Sequence, residues 1–98
     1  MVITTVEGMV EVARERDLSD AWARATAEGA LPPGFVESFL VRSTEGTTWR
    51  VITVWESMEA LRTMRAAAAG TPPAIAMFRA AGVEPAVSIW DVREHASP

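Results

Sequence analysis

Three stretches of this chain are apolar on both sides of an extended backbone, and that pattern narrows the folds open to it. In Thr47–Glu56, Val51, Thr53 and Trp55 alternate with Ile52 and Val54. In Pro85–Arg93, Val87 and Ile89 oppose Ala86, Trp90 and Val92; in Phe35–Arg42, Phe35, Phe39 and Val41 oppose Val36 and Leu40. A sheet covered by helices on one face and by water on the other alternates apolar with polar residues. These strands do not, so both faces need a cover. Helices of the same chain supply one; the sheet of a second copy supplies the other, across a layer about 10 Å thick. Left bare, that face would exceed the apolar patches that soluble monomers tolerate. A homodimer is therefore expected.

The element order follows from where the hydrophobic period changes. Val2 to Val6 are all β-branched, and Met1–Glu7 reads as a first strand that continues past a kink through Gly8–Val12. From Arg14 to Glu28, Leu18, Ala21, Trp22 and Ala25 fall at helical spacing, and Gly29 is placed to stop the helix. Ser43–Gly46 is a polar loop of hairpin length. Ser57 is placed to cap a helix over Met58–Ala69. Thr71 and Pro72 are placed to start a shorter one carrying Ile75, Phe78 and Ala81. Pro85–Arg93 is the last strand. The sum is an α+β fold: a ferredoxin-like βαββαβ domain over residues 1–94, with a four-stranded antiparallel sheet, helices on one face, and 95–98 as a tail.

Composition excludes more chemistry than it suggests. There is no cysteine, which removes disulfides, thiolate nucleophiles and Cys-ligated metal sites. Asn, Gln, Lys and Tyr are missing too, so no amide or phenol side chain can serve a site. The net charge of −4, with the arginines scattered, offers no basic surface to nucleic acid. No stretch reads as a membrane span or export signal, and a cytoplasmic location is expected. No Gly-rich phosphate loop, His/Asp metal spacing or Ser-His-Asp set is present; neither metal nor cofactor is expected.

The element order, the Thr53-Val54-Trp55-Glu56-Ser57 segment running into Met58-Glu59-Ala60-Leu61, and Gly34-Phe35-Val36 at the start of the second strand resemble the antibiotic biosynthesis monooxygenase family, within the dimeric α/β-barrel superfamily. The resemblance spans roughly Val2 to Val92. It implies a sheet-to-sheet dimer and a pocket between each sheet and its own helices. It also implies either cofactor-free oxygenation of polycyclic aromatic substrates or the binding and degradation of haem. The haem-degrading pattern uses a first-strand Asn, a third-strand Trp and a second-helix His. Only the Trp carries over, as Trp55: Glu7 stands near the Asn position, and no histidine lies within Met58–Ala81.

Among individual residues, Trp55 is the leading candidate, because an indole offers a flat wall to an aromatic ligand and an N–H to orient an oxygen atom. It could equally pack a helix against the sheet. Glu7 and Glu37 sit on otherwise apolar strands; one of them, desolvated in a pocket, would serve as a general base near neutral pH, removing a proton from a phenol or an anthrone-like carbon. Strand carboxylates more often face water or pair with arginine. Arg50 would stabilise the resulting enolate or phenolate, and Met64, Phe78 and Trp90 would line the cavity, although helical spacing makes Met64 and Phe78 core by default. Trp22 reads as core, Trp49 is open between interface and pocket, and the sole histidine, His95, lies in the tail. The expected function is cofactor-independent oxygenation of an aromatic or polyketide-like molecule. The alternatives are a non-catalytic dimeric ligand-binding or stress-responsive domain, and an isomerase or lyase using one strand carboxylate.

Overall fold

In the computed structural model, which describes residues 1–98, the β-branched N-terminus forms strand β1 (Val2–Met9) inside a four-stranded sheet. A 3-10 turn (Val12–Arg14) leads into helix α1 (Glu15–Ala25). Strands β2 (Phe35–Arg42) and β3 (Thr48–Trp55) follow, then helices α2 (Met58–Ala67) and α3 (Pro73–Ala80), and strand β4 (Ala86–Asp91). The sheet order is β2-β3-β1-β4 with every neighbour antiparallel, which is the ferredoxin-like arrangement. No helix is long and apolar enough to cross a membrane.

Several boundaries differ from the sequence reading. Helix α1 stops at Ala25 rather than at Glu28, so Gly29 lies beyond its end, and β3 and β4 are each shorter at both ends than expected. The first strand stops at Met9 rather than continuing to Val12: Val10 turns into the core, where it is fully buried, and the chain tightens into the 3-10 turn. Helix α2 ends early because Ala69 and Gly70 both take positive φ, at 51° and 92°. Thr71 does not cap α3. Pro72 occupies that position with ψ of 147°, because a residue preceding proline is pushed toward extended backbone, and the helix can begin only at Pro73. Ser57 does cap α2, accepting from the Ala60 N–H at 3.1 Å.

Cross-strand partners share a face of a sheet, so the register assigns each side chain. Val2, Thr4 and Val6 of β1 pair with Trp55, Thr53 and Val51 of β3, and all six are buried beneath the helices. The other face carries Thr5, Glu7 and Met9 with Arg50 and Ile52. A bulge between Phe35 and Glu37 adds one residue to β2. Phe35 therefore pairs with Trp55 on the helix side while Phe39 pairs with Ile52 on the other. Simple alternation, which puts both on one side, fails at that point. The helix-free face leaves Phe39 48%, Trp90 58% and Met9 70% exposed.

The buried residues fall into two clusters. The larger joins Val6, Val10 and Val51 to Leu18 and Ala21 of α1 and to Met77, Phe78 and Ala81. The smaller joins Val2 and Trp55 to Leu61 of α2. Domains of this size usually form one contiguous core. What divides this one is the site.

Candidate functional site

Between the two clusters the sheet carries a row of hydroxyls. Ser38 on β2 pairs with Thr53 on β3, and Thr53 pairs with Thr4 on β1, so the three side chains lie side by side across three adjacent strands. Apolar rows flank them: Leu40, Val51 and Val6 on one side, Phe35, Trp55 and Val2 on the other. The helices cannot close over this strip with apolar contacts, and a cavity of about 90 Å³ remains. Trp22 and Ala25 of α1, Leu61, Met64 and Arg65 of α2, and Pro73 and Ile75 of α3 form its far wall, with Leu31 and Pro32 at one end.

The hydroxyls are engaged but not saturated. The Trp55 Nε1–H donates to Thr4 Oγ1 at 3.1 Å in a buried bond, and Ser38 Oγ and Thr53 Oγ1 lie 3.0 Å apart. Phe35 meets Trp55 edge to face, ring centres 5.9 Å apart at 88°, which fixes the indole plane. The indole N–H is therefore spent inside the wall rather than offered to a ligand. Its consequence reaches the cavity through Thr4, which accepts that bond and keeps its own proton to give. Trp22, read from the sequence as core, packs against the larger cluster and also lines the cavity; it is half-buried, and its buried Nε1 has no hydrogen-bond partner.

The structure divides the candidate residues. Trp55 and Met64 line the cavity. Glu7, Glu37, Arg50 and Trp90 do not: their register puts all four on the helix-free face. There Glu7 and Arg50 are direct cross-strand partners and form an ion pair, with Arg50 Nε donating to Glu7 Oε1 at 2.8 Å, and Trp90 donates to Thr5 Oγ1 at 3.1 Å. Odd and even positions of a strand face opposite ways, and Glu7 is one step from Val6, which points inward. Phe78 is 0% exposed and belongs to the larger core cluster, not to the cavity wall. Trp49 packs beside that cluster on the helix side, with Arg42 stacked 5.7 Å from its ring centre. His95 is exposed in the tail. Sequence reasoning missed Thr4, Ser38, Thr53 and Arg65; the signal for the hydroxyls was three polar residues at inward positions of three strands.

No carboxylate or imidazole lines the cavity, and the one charged residue in its wall is Arg65. The groups whose ionisation is displaced lie elsewhere: Arg79 hydrogen-bonds Glu84 at 2.9 Å, and that bond holds the Glu84 carboxyl below its usual range.

The sequence matches the antibiotic biosynthesis monooxygenase family over residues 1–69. No curated protein matches it by sequence. Among solved structures, an asparagine-to-alanine variant of SnoaB, a cofactor-independent oxygenase from Streptomyces nogalater, superposes with a TM-score of 0.76 at 26% identity, over 96% of this chain and 94% of that one. A candidate antibiotic biosynthesis monooxygenase from Deinococcus radiodurans gives 0.78 at 14% identity, over 100% and 98%. The haem degrader MhuD from Mycobacterium tuberculosis, solved with two haems in its active site, gives 0.69 at 24% identity, over 99% and 100%. The last two likenesses establish the fold alone.

Haem does not fit the donor set here. Protein haem iron is held by histidine, a cysteine thiolate, tyrosine, or methionine paired with histidine. The cavity wall offers only the thioethers of Met64 and Met77.

Proposed function

This chain belongs to the antibiotic biosynthesis monooxygenase family, and we propose that it oxygenates an aromatic or polyketide-like small molecule in the cavity beside Trp55, without a tightly held cofactor. The observation that carries this reading is the apolar cavity floored by Thr4, Thr53 and Ser38. Flat apolar walls suit an aromatic ring system, and a few buried hydroxyls suit its oxygen substituents. In such a reaction a substrate methylene becomes a carbonyl. Two C–H bonds break, one atom of O₂ enters the product as C=O, the other leaves as water, and the substrate supplies the electrons. At about 90 Å³ the cavity is smaller than the ~300–1,000 Å³ typical of ligand sites. A polycyclic substrate therefore displaces the Leu31–Pro32 end of the wall, which has no regular secondary structure.

The test is oxygen uptake by metal-free protein supplied with an anthrone-type substrate. One O₂ should be consumed per quinone formed. Trp55→Phe keeps a wall but leaves Thr4 without its donor, and should lower kcat/KM on the order of tenfold, the worth of one well-placed hydrogen bond. A protein that neither binds nor turns over any aromatic carbon acid, with Trp55→Phe changing nothing, would remove the reading. The alternative, a non-catalytic ligand-binding or stress-responsive domain, is favoured by one observation: no lining residue can accept a proton. The isomerase or lyase reading loses its support, because it needs a carboxylate in the cavity and Glu7 and Glu37 face away.

The working assembly in this reading is a homodimer joined through the helix-free faces of the two sheets. The exposed Phe39, Trp90 and Met9 support it, since face-to-face packing would bury them. Sedimentation should give twice the 10.6 kDa chain mass, and Phe39→Glu should shift the protein toward half that size. A stable monomer at micromolar concentration would rule the dimer out.

A further inference from the structure

We propose that the cavity selects its substrate as a delocalised oxyanion, an enolate or phenolate already ionised in solution, with Arg65 and the hydroxyl floor as its binding groups. The inference rests on the oxygenation reading above and adds to it the ionisation state of the substrate and the residues that recognise it.

Oxygenation of a methylene without a cofactor requires a carbanion, because only the ionised carbon acid gives up electrons to O₂ readily. Some group must take the proton. No carboxylate, imidazole, amine, thiol or phenol lines this cavity, and serine or threonine hydroxyls are far too weakly basic to do so unaided. The proton therefore leaves before the substrate is enclosed. That restricts the substrate class to carbon acids whose conjugate base is spread onto oxygen: 1,3-dicarbonyls, or methylenes conjugated to a phenol or aryl ketone.

The polar groups around the cavity are set for such an anion. Arg65, half-buried on α2, is the only charged residue in the wall and makes none of the ion pairs in the structure. Thr4 accepts from Trp55 and makes no other hydrogen bond, so its own proton is free to donate. Ser38 and Thr53 share one hydrogen bond between two hydroxyls, which leaves one proton of the pair uncommitted. An oxyanion is an acceptor that can take more than one such proton at once. Fixed donors facing an apolar, water-poor space hold negative charge better than water-exposed ones do. Holding the enolate oxygen also keeps the electron-rich carbon against the apolar wall, where dissolved O₂ partitions favourably.

A single-ring nitrophenol tests this apart from turnover, since O₂ does not attack it and its phenolate absorbs in the visible. Titrated into the protein across pH, the phenolate should bind about tenfold or more tightly than the neutral phenol, and the bound dye should ionise at lower pH than the free dye. Arg65→Met should abolish the preference, Thr4→Val should weaken it, and Arg62→Met, one turn away on the exposed side of α2, should leave it intact. Equal or tighter binding of the neutral phenol, no binding of either form, or an anion preference that survives Arg65→Met would each overturn the proposal. The two readings fail separately. An intact anion preference with no oxygen uptake from any carbon acid sinks oxygenation alone; oxygen uptake without an anion preference sinks this inference alone.

Discussion

Gly34→Ala should destabilise the protein by about 3–5 kcal/mol, more than a surface loop substitution ordinarily costs. Two effects add. Gly34 takes φ of +81°, a conformation that costs an L-residue about 1–2 kcal/mol. A Cβ at this position would also lie 2.3 Å from the Ala60 Cβ, because the turn into β2 passes directly over the first turn of α2. Neither a backbone nor a methyl group can yield cheaply. Gly29 supplies the control: its φ is +84°, but nothing lies within 4 Å of a Cβ there, so Gly29→Ala should cost only the backbone strain. Adding Ala60→Gly to Gly34→Ala should recover the steric part and leave the strain. Urea unfolding at fixed protein concentration measures all three, since the proposed dimer would make apparent stability depend on concentration. Equal costs at Gly29 and Gly34 would mean that the α2 contact contributes nothing.

Phe78→Ala and Met64→Ala should part company, although both residues are apolar and helical. Phe78 is 0% exposed at the centre of the larger core cluster, and truncating it should cost about 3–5 kcal/mol through lost burial and the cavity left behind. Ligand binding should follow stability and show no separate change. Met64 is half-buried and already lines a void, so Met64→Ala removes fewer contacts and should cost about 1–2 kcal/mol. It also enlarges a cavity of about 90 Å³. A bicyclic aromatic probe should therefore bind Met64→Ala more tightly than the parent protein. Denaturation and fluorescence titration of both variants check the pair; tighter probe binding by Phe78→Ala alone would move the cavity to the other cluster.

Much of this molecule is readable before folding is considered. The β-branched start, the change to helical period at Leu18, Ala21 and Trp22, and Ser57 ahead of α2 are local signals, and each corresponds to an element that forms. The errors are local too. Thr71 looked like a cap until the second of two prolines decided where α3 could begin, and Phe35 and Phe39 looked like neighbours on one face until a bulge separated them. The site was less legible. Trp55 and Met64 stand out by residue type, whereas Glu7, Glu37, Arg50 and Trp90 were attractive only while their direction was unknown.

The alternation of side chains along single strands, and the spacing of apolar residues along single helices, already specify the elements, their order and the two-sided greasiness of the sheet. They do so because these are short-range properties of the backbone. Register is different. That Thr4, Thr53 and Ser38 line up across three strands, that Glu7 meets Arg50 away from the cavity, and that Arg65 joins the same cavity wall follow from how distant segments come together. Strand pairing over dozens of residues leaves no mark on any one segment, because the energy that selects it belongs to the contacts between them.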